Sequence, residues 1–579
     1  MRRALTRGFG IMGLTAAVVL SGASAEAQRK PKKPAPEAQP APVDLDADSG
    51  AAPKPTKPAK TVDNSPTPQA GQPTDAASQA KRLYESEKWW DAAQALYRVS
   101  NGETGDDEGN KQIAQFNLAK ALYKLKFFQA AYSIFSEIAD KPNHIKYNET
   151  LLWLAKLATD LPEPADIVER VGKYDVDQVA KFNNKEQQDL YWQLNYLLGR
   201  YKYRNGQYPE ALGLFDKVNR KSKFYVQAQF FGGISNVQLR QSKPAVQAFQ
   251  RILGAIEEGD VEVDDEARMR DLAYLSMART FYSASIKLDE TTNAPTVDQT
   301  RLSAAVKYWN KVNISSEYWL DALFEESWAY FMAGDYSHAL GNIHTIESPY
   351  FPHANYPEAD VLKAVIYFAN CQYDDALTIV AQFRGHYEPI RDALTKQLDE
   401  FKKSSNPEDA FYRFLKDVRD DKAHMDPKIG PIVKTSLSDR QLLRNLEYVR
   451  VLDEEEKRFG KSPNSFRSSK VADLVKDSVH DARELAIRNA GDLAKARYER
   501  NLSDLNEQLR NGQKILIDIT AAQRNQLDQA IQGAQVTVEE SKANIVKPDD
   551  EHVIWPFNGE YWRDELGFYR QTITSKCGR

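Results

Sequence analysis

From Ala77 onward the apolar positions follow a rhythm that fits helices stacked in pairs. A small residue is followed four places later by an aromatic or aliphatic one, often with an aromatic three places before the small residue. The pattern occurs at Ala93/Tyr97 after Trp90, Ala131/Phe135 after Phe128, Ala211/Phe215 after Tyr208, Ala245/Phe249, Ala304/Tyr308, Ala339/Ile343 after Tyr336 and Ala376/Val380 after Tyr373. Residues four apart share one helical face, so each pair marks a helix with one packed side. The intervals between pairs are 38, 80, 34, 59, 35 and 37 residues. Recurrence near 34 residues predicts an all-α solenoid of antiparallel helix pairs over 77–390, with seven to nine repeats. The interval of 80 holds a degenerate unit around Leu151, Trp153 and Leu154; the interval of 59 holds a helix from Asp271 to Tyr282 and a polar insertion from Asp289 to Thr300.

Beyond the repeats the pattern changes. Residues 391–465 read as a helical connector broken by Asn406-Pro407, Asp426-Pro427 and Gly430-Pro431. Residues 466–547 carry no proline, and their apolar positions, among them Val471, Leu474, Val479, Leu505, Leu509 and Ile519, describe long amphipathic helix. Asn511-Gly512 is a helix-stop signal, so one long helix in a coiled coil and an antiparallel hairpin both fit. Residues 548–579 form a tail with six large rings close together: Trp555, Phe557, Tyr561, Trp562, Phe568 and Tyr569. Such a cluster is expected to leave water, either by capping the end of the solenoid or rod or by anchoring a partner.

The run from Leu198-Gly199-Arg200-Tyr201 through Gly206-Gln207-Tyr208-Pro209-Glu210-Ala211 to Phe215 resembles the tetratricopeptide repeat family, and Trp328-Ala329-Tyr330 through Gly334-Asp335-Tyr336 to Ala339-Leu340 is a second good copy. The resemblance spans Ala77 to Phe383. It departs from the family in the placing of the tyrosines of the first copy, in Glu169 where a helix B aromatic belongs, and in the lack of a closing proline in most copies. What the resemblance implies is a solenoid whose first helices line a groove for extended peptides. Carried over by register, the groove residues are Lys120 and Tyr123, Arg200 and Tyr203, and Trp328 and Phe331. Cation beside aromatic would suit a peptide carrying carboxylates.

Residues 1–25 read as a secretory signal: Arg2, Arg3 and Arg7, then the uncharged stretch Phe9 to Gly22, then Ala23-Ser24-Ala25. Residues 26–76 hold eleven of the 27 prolines and no aromatic residue, the composition of a disordered tether. A periplasmic location follows as the expectation, with the outer membrane as a surface the protein would lie against. No later segment is apolar for the ~18 residues a membrane span needs. The chain is 579 residues with 77 basic and 82 acidic side chains, so no excess of positive charge points to nucleic acid.

Candidate chemistry is sparse. No phosphate cradle, zinc helix, nucleophile elbow or dinucleotide turn is found. His338, His344 and His353 are spaced by 6 and 9 and do not share a helical face. The acidic run Glu257 to Glu266 lacks the spacing of a calcium loop and reads as solvated. No catalytic residue, cofactor or metal is expected. Cys371 and Cys577 are the only cysteines, and their pairing is left open. The expected function is a non-enzymatic, exported scaffold that binds other envelope proteins or extended peptides, with self-association through the C-terminal helices a further option. The layout and the run Tyr561-Trp562-Arg563-Asp564-Glu565-Leu566 resemble periplasmic repeat proteins of the bacterial gliding-motility complex. A protein coordinating outer-membrane or cell-wall assembly is the alternative, and a repeat-carrying cell-wall enzyme a third.

Overall fold

A computed structural model describes residues 66–288, 295–352, 354–437, 439–531, 547–550 and 553–577. The signal segment 1–25 and most of the tether 26–76 lie outside the described residues, as do His353 and part of the insertion Asp289–Thr300. The fold is an all-α solenoid of packed helix pairs followed by long C-terminal helices. The pairs are α1 (Asp75–Glu85) with α2 (Trp89–Ser100), α3 (Glu108–Lys124) with α4 (Phe128–Ala139), and α5 (Tyr147–Asp160) with the short α6 (Ile167–Val171). After α7 (Val176–Ala180) come α8 (Gln188–Arg204) with α9 (Tyr208–Phe215), α10 (Tyr225–Gln238) with α11 (Ser242–Glu258), and α12 (Glu266–Ser285) with α13 (Gln299–Trp309). The last two pairs are α14 (Trp319–Ala333) with α15 (Tyr336–Ile346) and α16 (Pro357–Ala369) with α17 (Tyr373–Lys402). This makes eight pairs among the described residues.

Six of the eight pairs turn in the same way. At Glu87, Lys126, Gly206, Arg240, Gly334 and Cys371 the backbone takes a positive φ, between 56° and 77°. In each case this residue donates its N–H three residues back, and the next residue donates five back, as in Lys126 N–H to the Tyr123 carbonyl (2.9 Å) and Phe127 N–H to the Leu122 carbonyl (2.9 Å). These paired bonds satisfy the carbonyls left over at the end of the first helix and aim the chain directly into the second. The close approach of the two helices has a visible cause. A methyl group on Gly199 would lie 2.6 Å from the Phe215 ring, and one on Gly233 would lie 2.4 Å from Phe249. Each glycine sits 16 residues before the ring that fills its space, so small-on-first-helix and large-on-second is one repeated packing rule.

The two irregular pairs carry the insertions. In the third, a 3₁₀ turn (Glu163–Ala165) and a left-handed Asp166 precede the stunted α6. In the sixth, α12 runs into a two-stranded ribbon, β1 (Ile286–Leu288) and β2 (Pro295–Val297), antiparallel with Ile286 opposite Val297. The described part of the predicted insertion Asp289–Thr300 holds β2, and α13 starts at Gln299 within it.

The connector folds as α18 (Pro407–Arg419), α19 (Gly430–Leu437), α20 (Arg440–Gly460) and α21 (Asn464–Arg467), and the chain continues as α22 (Lys470–Ile531). α22 has 62 residues in one helix, ~93 Å at 1.5 Å per residue. It passes through Asn511-Gly512 without stopping, and Gly512 faces the Phe383 ring of α17, where an added methyl would come within 2.9 Å. Of the two readings left open by the sequence, the single helix is the one found, packed along the solenoid. Its start meets the first pair, where Lys470 reaches Glu103 at 2.7 Å; its far end meets the last, where the Gln523 amide donates to Asp374 at 3.1 Å. Between them Tyr498 packs on Phe411 and Phe414. α22 is thus a strut joining both ends of the array. α20 grips the second pair at its turn: the Glu455 carboxylate accepts from Gln129 and Ala130 N–H at the start of α4, and Arg458 donates to the Lys126 carbonyl at 2.6 Å. Opposite charges thereby meet the two helix ends of a single turn.

Candidate peptide-binding site on the last two repeats

The sequence-chosen groove residues fall in three separate places. Lys120 lies over the rings of Tyr84, Phe116 and Trp153, and Tyr123 donates to Asp160 at 2.6 Å while packing on Phe128 and Trp153; both are half-buried. Arg200 and Tyr203, on α8, are both under a tenth exposed. Arg200 donates to Glu163, which also receives Arg204 from α8 and Arg444 from α20, and its guanidinium lies over Tyr196 and Phe231. Trp328 and Phe331, likewise under a tenth exposed, meet edge to face at 5.7 Å. The structure therefore brings each pair together on its own helix but packs all six side chains against other side chains of the solenoid, four of them deeply.

What lies on the repeat surface is the chain's own tail. Residues 566–568 make a turn, and residues 569–577 continue without helix; together they cross α14, α15 and α16, held by hydrogen bonds to main-chain and side-chain groups. Gln571 N–H donates to the Ser337 carbonyl at 3.1 Å and Lys576 N–H to the Asn370 carbonyl at 2.9 Å. Gly567 N–H donates to Thr345 Oγ1 at 3.1 Å, the Gln372 amide donates to the Thr574 carbonyl, and the Gln571 amide donates to Tyr367 Oη at 2.8 Å. Ser337, Gly341 and Thr345 are four apart and so share one face of α15. At its centre Gly341 has no side chain, and the Tyr569 carbonyl occupies that space. Cys577 closes the contact with a disulfide to Cys371, the left-handed residue of the last turn.

Burial along the tail alternates. Leu566 and Ile573 are buried, and Tyr561 and Tyr569 close on His344, whose ring also meets Phe557. Burial pushes the His344 imidazole below its usual pKa, so it stands here as a neutral ring among aromatics. Trp555, Phe557, Trp562 and Phe568 remain between 46% and 72% exposed. The expectation that all six rings would leave water holds for the tyrosines only. Phe568 sits on the outside of the turn at 566–568, and from Tyr569 to Ile573 exposure alternates residue by residue, as successive side chains of a non-helical chain point to opposite sides. Nearby, burial raises the Asp360 carboxyl to about 7.

Sequence reasoning did not single out Ser337, Gly341, Thr345 or Gln372. One signal was available, the run Ala339-Leu340-Gly341, which repeats Ala211-Leu212-Gly213 at the same place in α9. Gly213 faces open space and Gly341 faces the tail, so the run alone does not tell a covered position from a bare one. Among the described residues no helix is long and apolar enough to cross a membrane, and no group of acidic, histidine and cysteine residues is arranged to hold a metal ion. No protein-family model matches this chain, and no curated protein matches it either.

Proposed function

We propose that the protein is an exported, non-enzymatic scaffold of the tetratricopeptide type that holds extended segments of partner proteins in the bacterial envelope. One observation carries the reading: the last two repeats hold a non-helical peptide, the chain's own residues 569–577, through hydrogen bonds to its main chain that are largely indifferent to side-chain identity. Solenoids use such surfaces to bind without chemistry. Support for export comes from the signal-like residues 1–25 and from the Cys371–Cys577 bond, which suits an oxidising compartment. The exposed rings of Trp555, Phe557, Trp562 and Phe568 add an aromatic surface of the kind that anchors partners. The layout suggests an envelope machine, with the gliding-motility complex as the setting to examine first.

The test is photocrosslinking in living cells from a probe placed at Trp562 and, separately, at Leu485 on the exposed side of α22. Discrete adducts to one or a few envelope proteins from the first position, with few from the second, are expected. Adducts to glycan or lipid in place of protein, or identical patterns from both positions, would overturn the reading.

A further inference from the structure

We infer that the Cys371–Cys577 disulfide is a latch: it keeps residues 566–577 seated as a ligand in cis on α14, α15 and α16, and its reduction frees that face for an extended peptide of the same chemistry. The inference rests on the scaffold reading and goes beyond it, because it makes occupancy of the site depend on thiol state.

Four observations combine. First, the segment buries few side chains of its own, chiefly Leu566 and Ile573, while Phe568 faces water. Apolar burial therefore holds it weakly, and its main-chain bonds can be traded for bonds to water. Second, the covalent tie sits at the far end of the segment, beyond the last main-chain bond from Lys576. Cutting it leaves the segment tied covalently at one end alone, through the residues preceding 566, and held elsewhere by its hydrogen bonds. Third, both cysteines are partly exposed, so a thiol donor can reach the bond. Fourth, the turn does not require cysteine. The same left-handed position holds Glu87, Lys126, Gly206, Arg240 and Gly334 in other pairs, and all of these make the same backbone bonds.

The step balances as thiol–disulfide exchange. The thiolate of a dithiol donor attacks one sulfur of the pair, the S–S bond breaks and a mixed disulfide forms. The donor's second thiol then displaces the protein sulfur. Two electrons and two protons pass to Cys371 and Cys577, which become thiols, and the donor leaves as a disulfide.

Hydrogen exchange on the full-length mature protein tests the latch, because the site has named amide donors: Gly567, Gln571 and Lys576. In the oxidised protein these three are expected to be protected. After treatment with a dithiol, and equally in the variant Cys371→Ser/Cys577→Ser, they are expected to exchange at least about tenfold faster, while the amides of α15 and α16 keep their protection. A labelled synthetic peptide covering Asp564 to Lys576, added in excess, should bind the reduced protein and the double variant and not the oxidised protein. Unchanged protection of the tail after reduction would overturn the latch, as would opening of α15 and α16 together with the tail. Failure of the peptide to bind a protein whose tail has been shown to open would overturn the shared site. Peptide binding without any envelope crosslink from Trp562 would leave the latch standing and remove the scaffold reading, so the two fail separately.

Discussion

Gly341 lies directly beneath the carbonyl oxygen of Tyr569, so close that a methyl group on Gly341 would come within 1.7 Å of it. Glycine in the middle of a helix is unfavourable by roughly 0.5–1 kcal/mol against alanine, and here the tail occupies the space it leaves. Gly213 occupies the same register in α9 with nothing above it. The two glycines form a matched experiment. Gly213→Ala should stabilise the protein by about 0.5–1 kcal/mol. Gly341→Ala should lose that gain and displace the tail, seen as rapid cleavage between residues 553 and 577 in limited proteolysis. Equal behaviour of the two variants would separate Gly341 from the tail.

The shared turn makes a second comparison. Glu87, Lys126 and Arg240 hold a left-handed backbone that glycine adopts freely. Glu87→Gly, Lys126→Gly and Arg240→Gly should each raise the unfolding midpoint, by about 0.5–1 kcal/mol of stability where glycine's greater unfolded entropy is outweighed. Gly206→Ala and Gly334→Ala should lower it by a similar amount. Chemical denaturation of the five variants checks the signs.

Burial raises the Glu455 carboxyl to about 7, against an ordinary value near 4.5. A carboxyl whose folded pKa is raised binds its proton more tightly when folded than when unfolded. The folded state is therefore favoured at low pH, and that advantage fades as pH climbs from about 4.5 to beyond 7. Over this window the docking of α20 on the second pair should weaken, by on the order of 3 kcal/mol in full. Glu326, also raised to about 7 by burial, acts in the same direction. Glu455→Gln should flatten the pH dependence of the melting temperature between pH 5 and 8; a profile identical to that of the parent protein would show that Glu455 is not the group responsible.

Arg279 and Glu325 form a buried pair between α12 and α14, and the Trp309 indole donates to the same carboxylate at 3.1 Å. Arg279→Met would leave Glu325 buried with the indole alone among these partners. A loss of about 3–5 kcal/mol is expected by thermal or urea unfolding. Recovery in Arg279→Met/Glu325→Leu would confirm that the cost lies in the stranded charge.

How much of this was legible in the sequence follows from where each signal is local. The helix pairs were readable because a small residue and a larger apolar one recur four apart on one helix face, and in two pairs a glycine on the first helix admits that larger residue's ring, as Gly199 admits Phe215. Gly206 and Gly334 marked two turns, while Glu87, Lys126, Arg240 and Cys371 take the same backbone without a glycine to announce it. Asn511-Gly512 read as a stop, yet the helix continues where Gly512 admits Phe383. The choice of Arg200 and Tyr203 as groove residues rested on register alone. Nothing local foretold that Glu163, from the irregular third pair, would gather Arg200, Arg204 and Arg444 around it. The tail's seat on α15 depends on residues more than 200 positions apart, a distance across which a single sequence shows no pairing.

The most direct measurement is the thiol state of Cys371 and Cys577 in protein recovered from cells, with the osmotic-shock fraction separated from the rest. Osmotic-shock extracts alkylated at once and digested without reductant should yield one peptide pair joined through Cys371 and Cys577, from a chain starting at Glu26 or Gln28. Recovery of both cysteines as alkylated free thiols, in a chain with Met1 intact, would contradict both the seated tail and the export on which the account depends.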